Sequence, residues 1–264
     1  MNNPKITVVT VCFNAKNTLE KTILSVINQT YCNIEYIIID GASTDGTLEI
    51  IKKYEDRISH WQSEPDKGIY DAMNKGIKLA TGDWINFMNA GDGFNSDGVL
   101  ENLVPQIDDD SVIVYGDVNL IFQSDELKIK PYRLDFLKED GMSFCHQSCF
   151  VKTSYHKEHL FDISFKIVAD YNLFYNAYFK DGVNFQYVPV LVSDFDAEDG
   201  ISSRRLCLLV KENARVQGVQ ETLQWKLRYF CLCIKQIIKK FIPKNMLVAR
   251  KQRMIKQLQE KCVA

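Results

Sequence analysis

The chain has 264 residues, 46% of them apolar, and carries 32 Lys plus Arg against 34 Asp plus Glu, a formal charge of −2. That length and apolar content exclude a disordered or fibrous protein and allow one large domain or two small ones. The near-zero charge is a cancellation: residues 1–203 hold 31 acidic and 17 basic side chains, net −14, whereas residues 204–264 hold 3 and 15, net +12. An acidic body suits a metal or a reaction that needs carboxylates. The basic tail suits an anionic surface, and the balance disfavours nucleic acid as the partner.

The predicted elements begin with a β-branched strand over residues 5–13, followed by a polar loop and a helix reaching about residue 29. A second strand over 34–39 ends on Asp40, and the small-residue loop Gly41-Ala42-Ser43-Thr44-Asp45-Gly46-Thr47 leads into a helix over 48–54. A strand over 58–63, a helix over 68–80 and a strand over 84–88 continue the alternation, which predicts an α/β fold built on a parallel sheet. A helix near 98–104 and a strand over 112–116 follow. Beyond them, residues 117–200 read as a mixed segment with strands near 120–122, 148–151 and 185–192 and a helix over 171–179. From residue 204 to 259 the pattern is helical, interrupted near Pro243, with Trp225, Leu227, Tyr229, Phe230 and Leu232 interleaved with Lys226 and Arg228. Basic amphipathic helices of this kind lie in membrane interfaces or pack on a partner subunit.

No uncharged apolar run reaches about 18 residues, so no transmembrane helix is expected. The opening Met1-Asn2-Asn3-Pro4-Lys5 lacks an apolar leader, so the eight cysteines are expected to be reduced in a cytoplasmic setting.

Polar residues collect just after the strand ends, the edge where open α/β sheets bind ligands. Asp40 suits either a base or ribose contact or simple turn chemistry. The loop lacks the Gly-Lys-Ser/Thr of a phosphate loop, and no Gly-x-Gly-x-x-Gly opens the first helix. Asn89-Ala90-Gly91-Asp92 suits a hard divalent cation held by one or two carboxylates and substrate phosphates. Asp170 reads as a base or as a helix cap. His156 and His159 are expected to be exposed.

In combination, Val8–Asn14, Asp40-Gly41-Ala42-Ser43-Thr44-Asp45-Gly46-Thr47, the run from Asp66 to Gly76, Thr81-Gly82-Asp83 and Asn89-Ala90-Gly91-Asp92 resemble, in order and spacing, the family 2 inverting glycosyltransferases of GT-A fold. The resemblance covers about residues 4–203 and is strongest over 5–95. It implies a Rossmann-like, mostly parallel sheet with a C-terminal helical extension, divided as 1–203 and 204–264. It further implies a UDP-sugar donor contacted by Thr10, Asn14, Asp40, Ser43, Asp66, Lys67, Asn74, Asn89, Ala90 and Gly91, and Mn²⁺ or Mg²⁺ on Asp92, with Asn89 standing where a first carboxylate is usual. Asp170 would be the catalytic base, His146 and Gln147 would line the acceptor and donor-sugar side, and Ser202, Arg204 and Arg205 would close over the diphosphate in a loop where Asp199 replaces a glycine. The implied acceptor is a polyprenyl-diphosphate-linked saccharide of a bacterial surface polysaccharide (O-antigen, capsule or exopolysaccharide). The tail would place the enzyme on the cytoplasmic face of the inner membrane or in a homo-oligomer. Asn89 and Asp199 also suit a nucleotide-sugar-binding or scaffolding protein without turnover.

Overall fold

The structure, a computed structural model, describes residues 3–122, 125–131, 133–138, 141–196 and 205–239. It divides into two compact units, Met1–Gly200 and Ile201–Ala264. In the first unit, β1 (Ile6–Cys12), β2 (Ile34–Asp40), β3 (His60–Ser63) and β4 (Trp84–Phe87) form a parallel group in the order β3-β2-β1-β4. The Val/Ile-rich runs of β1 and β2 and the apolar β4 are buried on both faces, as a sheet covered by helices on each side requires, while the edge strand β3 is half-exposed.

The helices between them supply that cover. In α1 (Leu19–Ile27) the buried Leu19, Thr22, Ile23 and Val26 fall at helical spacing and face the sheet. Next come α2 (Thr47–Lys53) and α3 (Ile69–Leu79), and α3 packs on β1 and β2. Short β5 (Gly93–Phe94) and α4 (Val99–Leu103) lead into the second half of the sheet.

There β6 (Ile113–Phe122), β7 (Asp125–Ile129), β8 (Cys149–Lys152) and β9 (Phe185–Asp196) extend the order as β4-β8-β6-β9-β5, with β7 beside β6. β8 is antiparallel to both β4 and β6, and β9 is parallel to β6. The expected strands at 112–116 and 120–122 are one strand. A register irregularity between Tyr115 and Val118 absorbs the Gly116-Asp117 interruption. Two further helices, α5 (Thr153–Glu158) and α6 (Ala169–Asn176), follow β8.

The second unit contributes α7 (Leu206–Val216) and α8 (Leu223–Lys239), which pack on each other. The helix expected to be continuous to Pro243 is broken earlier, where Gly218 takes φ +70°. No helix among the described residues is long and apolar enough to cross a membrane.

Candidate functional site

The parallel strands end together at Cys12, Asp40, Ser63 and Phe87, and the loops that follow are tied to one another. Asn14 donates its backbone N–H to Ser43 Oγ (2.7 Å), and its side-chain oxygen accepts from the Thr44 N–H (3.0 Å). Asn14 (φ +48°) and Ala42 (φ +64°) hold left-handed backbone without being glycine, a strained state that persists only where the surroundings impose it.

Asp40 lies beneath this loop with no exposed surface. Its carboxylate accepts from the Ser43 N–H (2.9 Å), Ser43 Oγ (2.5 Å) and Ser63 Oγ (2.6 Å). Expected to contact nucleotide, it is closed off here by the two serines. Thr10, also expected in contact with donor, is fully buried under the site, where its hydroxyl bonds the Met88 carbonyl (2.8 Å) and Tyr36 (3.0 Å).

Asp66 takes the accessible position. Its Oδ1 accepts from the Gly68 N–H (2.8 Å), and its Oδ2 lies 2.5 Å from where a Cβ on Gly41 would stand, so any larger residue at 41 would displace the Asp66 carboxylate. Phe13 closes on the same point, 3.3 Å from that Cβ position, yet is 64% exposed. Sequence reasoning passed over Phe13. The signal was an aromatic directly after a buried strand end. Lys67 is exposed, and its N–H caps onto Asp71 (3.0 Å).

The segment after β4 is shaped by Thr22 of α1. Its hydroxyl donates toward the carbonyls of Asp92 (2.6 Å) and Asn89 (3.3 Å) and accepts from the Gly91 N–H (3.0 Å), holding a turn in which Gly91 has φ +109°. Ala90 continues the ladder onto the Val11 carbonyl (3.2 Å). This turn points Asp92 inward, where it is 7% exposed and its Oδ2 accepts from Gln147 Nε2 (2.9 Å). Gln147 Oε1 in turn lies 2.9 Å from the Cys145 thiol. Burial, then Asp92, push that thiol up to about 12, so it stays protonated and donates. Asn86 of β4 fixes the main chain of this segment by donating to the carbonyls of Gln147 and Cys149 (2.9 Å each). Beside Asp92, the Oδ1 of Asn89 is buried with no protein partner. A buried carboxylate and an orphaned amide oxygen on one turn are oxygen donors of the kind a hard divalent cation takes, although no group of three His, Cys, Asp or Glu side chains that could hold a metal gathers among the described residues.

Asp170 stands in the first turn of α6 but not at its cap, which is Val168. Its carboxylate reaches across the site: Oδ1 is 2.9 Å from the Tyr70 hydroxyl and Oδ2 is 3.9 Å from His146 Nδ1. The Tyr70 hydroxyl also meets the Ile167 carbonyl (2.5 Å), so one proton serves two acceptors. His146 is buried against Phe87, Phe161 and Phe174. Burial lowers its pKa against the opposing pull of Asp170, keeping the imidazole neutral.

Asn74, expected to contact donor, engages the main chain of Phe161 with both ends of its amide (2.9 Å each) and so anchors one wall of this aromatic box. His156 corrects the expectation of exposure: α5 buries it completely, 4.9 Å edge-on from Phe161. His159 is half-exposed, with Nε2 3.7 Å from Asp181. Ser202 and Arg204 lie outside the described residues, and Arg205 is exposed at the start of α7.

The sequence model for "Glycosyl transferase family 2" matches residues 7–171. An uncharacterized glycosyltransferase of Mycobacterium tuberculosis (strain CDC 1551 / Oshkosh) is 41% identical over 102 residues, which is 38% of this chain and 39% of that protein. The chain therefore matches well under half the length of that relative. A PGL/p-HBAD biosynthesis glycosyltransferase of Mycobacterium bovis (strain BCG / Pasteur 1173P2) is 27% identical over 210 residues, 77% of this chain and 81% of that protein.

Among solved structures, S. aureus TarS 1–349 in complex with UDP superposes with a TM-score of 0.65 at 16% identity, covering 82% of this chain and 65% of that one. A mannosyltransferase of Pyrobaculum calidifontis in complex with GDP-Man and Mn²⁺ superposes at 0.63 and 16% identity, covering 97% and 81%. At these identities the likeness shows the fold: the mixed sheet flanked by helices is the GT-A architecture.

Proposed function

The chain belongs to glycosyl transferase family 2, and from that premise we propose that it is an inverting transferase moving a sugar from a UDP-sugar to a hydroxyl of a lipid-linked saccharide. One observation carries this reading. Residues 145–147 bring Asp92, through Gln147, and Asp170, beside His146, to opposite ends of one short segment at the ligand-binding edge of the sheet.

The nucleoside end would lie against Phe13 and Asp66 over the strand end that carries Asp40, the half of the site where an exposed aromatic and an accessible carboxylate meet. Asn14, Ser43 and Lys67 shape that half, and Ala90 and Gly91 set the turn toward the diphosphate. Mn²⁺ or Mg²⁺ would be held by Asp92 and the Asn89 amide oxygen; such a cation, when bound, stabilises charge on a leaving diphosphate. Ser202, Arg204 and Arg205 are assigned to the same phosphates on chemical grounds, since guanidinium groups match phosphate oxygens.

Asp170 is the general base. Its carboxylate is partly exposed, the Tyr70 hydroxyl fixes its direction, and a neutral His146 stands 3.9 Å away. It removes the proton of the acceptor hydroxyl as that oxygen attacks the anomeric carbon from the face opposite the departing UDP, which inverts the configuration. The basic tail, residues 204–264, would hold the enzyme at the cytoplasmic face of the membrane that carries a polyprenyl-diphosphate acceptor.

The test is UDP release from a panel of UDP-sugars with lipid-linked saccharide acceptors, with and without Mn²⁺, followed by assignment of the product's anomeric configuration. Inversion with UDP release is expected. Retained configuration would overturn the mechanism, and nucleotide binding without release from any pair would leave a binding protein.

A further inference from the structure

Helix α8 has two apolar faces, and among the described residues only one of them is packed. At about 100° per residue, Trp225, Tyr229, Leu232 and Cys233 share one side and are half-buried. There Trp225 and Tyr229 stack (4.9 Å, 12° between planes), and the Cys233 side chain bonds those of Cys207 on α7 and of Tyr229. The opposite side carries Leu223, Leu227, Phe230 and Ile234, spaced i, i+4, i+7 and i+11, which are 74%, 58%, 63% and 40% exposed. Scattered exposed leucines are ordinary, but four large apolar side chains in one continuous stripe mark an interaction surface.

The charge around the stripe selects the occupant. Between Leu223 and Lys239 the sequence has Lys226, Arg228, Lys235 and Lys239 and no acidic residue, and residues 240–264 add seven basic side chains against one acidic. Lys226 and Arg228 are exposed on opposite sides of the stripe, about 70° and 130° from its midline at 100° per residue, and Lys226 pairs with Glu221 (2.8 Å), outside the helix. An apolar stripe with cationic flanks complements a surface that is apolar below and anionic at its rim. The helix is 17 residues, about 25 Å at 1.5 Å per residue, and too charged to cross a bilayer, so it suits the interface plane.

We infer that Leu223, Leu227, Phe230 and Ile234 of α8 seat in the surface of an anionic lipid bilayer while the Trp225–Tyr229 face stays on α7. This rests on the membrane reading of the tail and adds the face and the mode, shallow apolar insertion on top of electrostatic attraction.

Flotation of the full chain tests it, with vesicles of phosphatidylcholine containing phosphatidylglycerol against phosphatidylcholine alone. The wild type is expected to float with the anionic vesicles. Leu227→Ser/Phe230→Ser is expected to cut partitioning by at least about tenfold at low and high salt alike. Lys226→Gln/Arg228→Gln is expected to cut it by about tenfold or more at low salt only, at roughly fivefold per cation.

Both pairs are solvent-exposed, and an unchanged rise in melting temperature with UDP shows that the first unit is intact. Wild-type protein that stays off anionic vesicles, or a Leu227→Ser/Phe230→Ser variant that floats as well as wild type, overturns the inference. So does sedimentation showing that the same variant splits a dimer that never binds vesicles, which would give the face to a second copy of the chain. Failure of the UDP response in wild type would strike the transferase reading separately, because flotation does not depend on nucleotide.

Discussion

Two edges of one sheet bury carboxylates in opposite ways. At the edge where the parallel strands begin, Glu35 is ringed by donors from two other segments: Thr7 Oγ1 (2.6 Å) and Lys5 Nζ (3.2 Å) at the start of β1, and the Thr81 N–H (2.7 Å) and hydroxyl (2.5 Å). Burial works to raise its pKa, but these bonds outweigh it and hold the group at about 2. Nothing is left for a ligand, and the network joins β1, β2 and the turn before β4.

At the opposite edge Asp40 is likewise saturated, by Ser43 and Ser63, but the groups around it are left incomplete. Asn89 Oδ1 has no protein partner, His146 Nδ1 stops at 3.9 Å from Asp170, beyond hydrogen-bond reach, and Asp66 lies beside an exposed Phe13. Saturated carboxylates hold a fold together, whereas carboxylates beside unsatisfied neighbours are arranged for something that arrives later.

The largest expected effect separates the two edges outright. Asp170→Asn is expected to reduce turnover by about 10²–10⁴-fold, the usual contribution of a general base, with UDP affinity and urea midpoint unchanged. Single-turnover assays and nucleotide titration check this. A variant with wild-type turnover would remove Asp170 from the chemistry.

Glu35→Ala should do the converse. It strands the buried Thr7 hydroxyl and the part-buried Thr81 N–H and is expected to lower stability by about 2 kcal/mol, with UDP affinity per folded molecule unaltered. Urea denaturation at neutral pH is the measurement. A loss of nucleotide affinity with no change in stability would erase the contrast between the edges.

How much of this contrast the sequence discloses follows from the distances involved. β1 to β4 and their parallel sheet could be read from short apolar runs ending in polar loops, since each signal is local, but the order β3-β2-β1-β4 depends on pairing between distant segments and could not. β7 could not, because Asp-Glu-Leu-Lys-Ile alternates too weakly to mark a strand and forms by pairing with β6. The site's acids were named through the family's motifs, but their partners were hidden: Tyr70 meets Asp170 across 100 positions, and Gln147 meets Asp92 across 55. The family resemblance implies donor contacts for Thr10 and Asn74, whereas the burial of Thr10 and the bonding of Asn74 to the Phe161 main chain are visible only in the fold.

A smaller effect should sharpen the role of the Cys145–Gln147–Asp92 chain. The thiol donates to Gln147 Oε1 and thereby turns the amide N–H toward Asp92. Removing a group that orients a metal-binding side chain usually costs about 10–100-fold in metal affinity. Cys145→Ala is therefore expected to weaken Mn²⁺ binding in the presence of UDP by about tenfold, near the low end of that range. Cys145→Ser keeps a donor and should stay close to wild type. Calorimetric titration of Mn²⁺ resolves the two, and equal affinities for alanine and wild type would reduce Cys145 to packing.

The smallest effect concerns pH and His156, which stands behind the site with its Nε2 buried and without a protein partner. Burial lowers its pKa from 6.5 to about 4. Above pH 6.5 neither the folded nor the unfolded chain protonates it, so it has no pH-linked cost there. As pH falls from 6.5 toward 4 the unfolded chain takes up the proton and the folded chain does not, so stability declines; below about 4 both are protonated and the loss is complete. At pH 5 these two values correspond to about 2 kcal/mol. His156→Phe removes the titrating group while keeping an aromatic against Phe87 and Phe161. Its stability relative to wild type should therefore improve by about 2 kcal/mol between pH 7 and pH 5 in urea unfolding. The acid loss tied to Glu35, which begins only as pH falls through 4.5 toward 2, should remain in the variant. If the two proteins lose stability in parallel from pH 7 to pH 5, the buried imidazole is not what makes this edge of the sheet acid-sensitive.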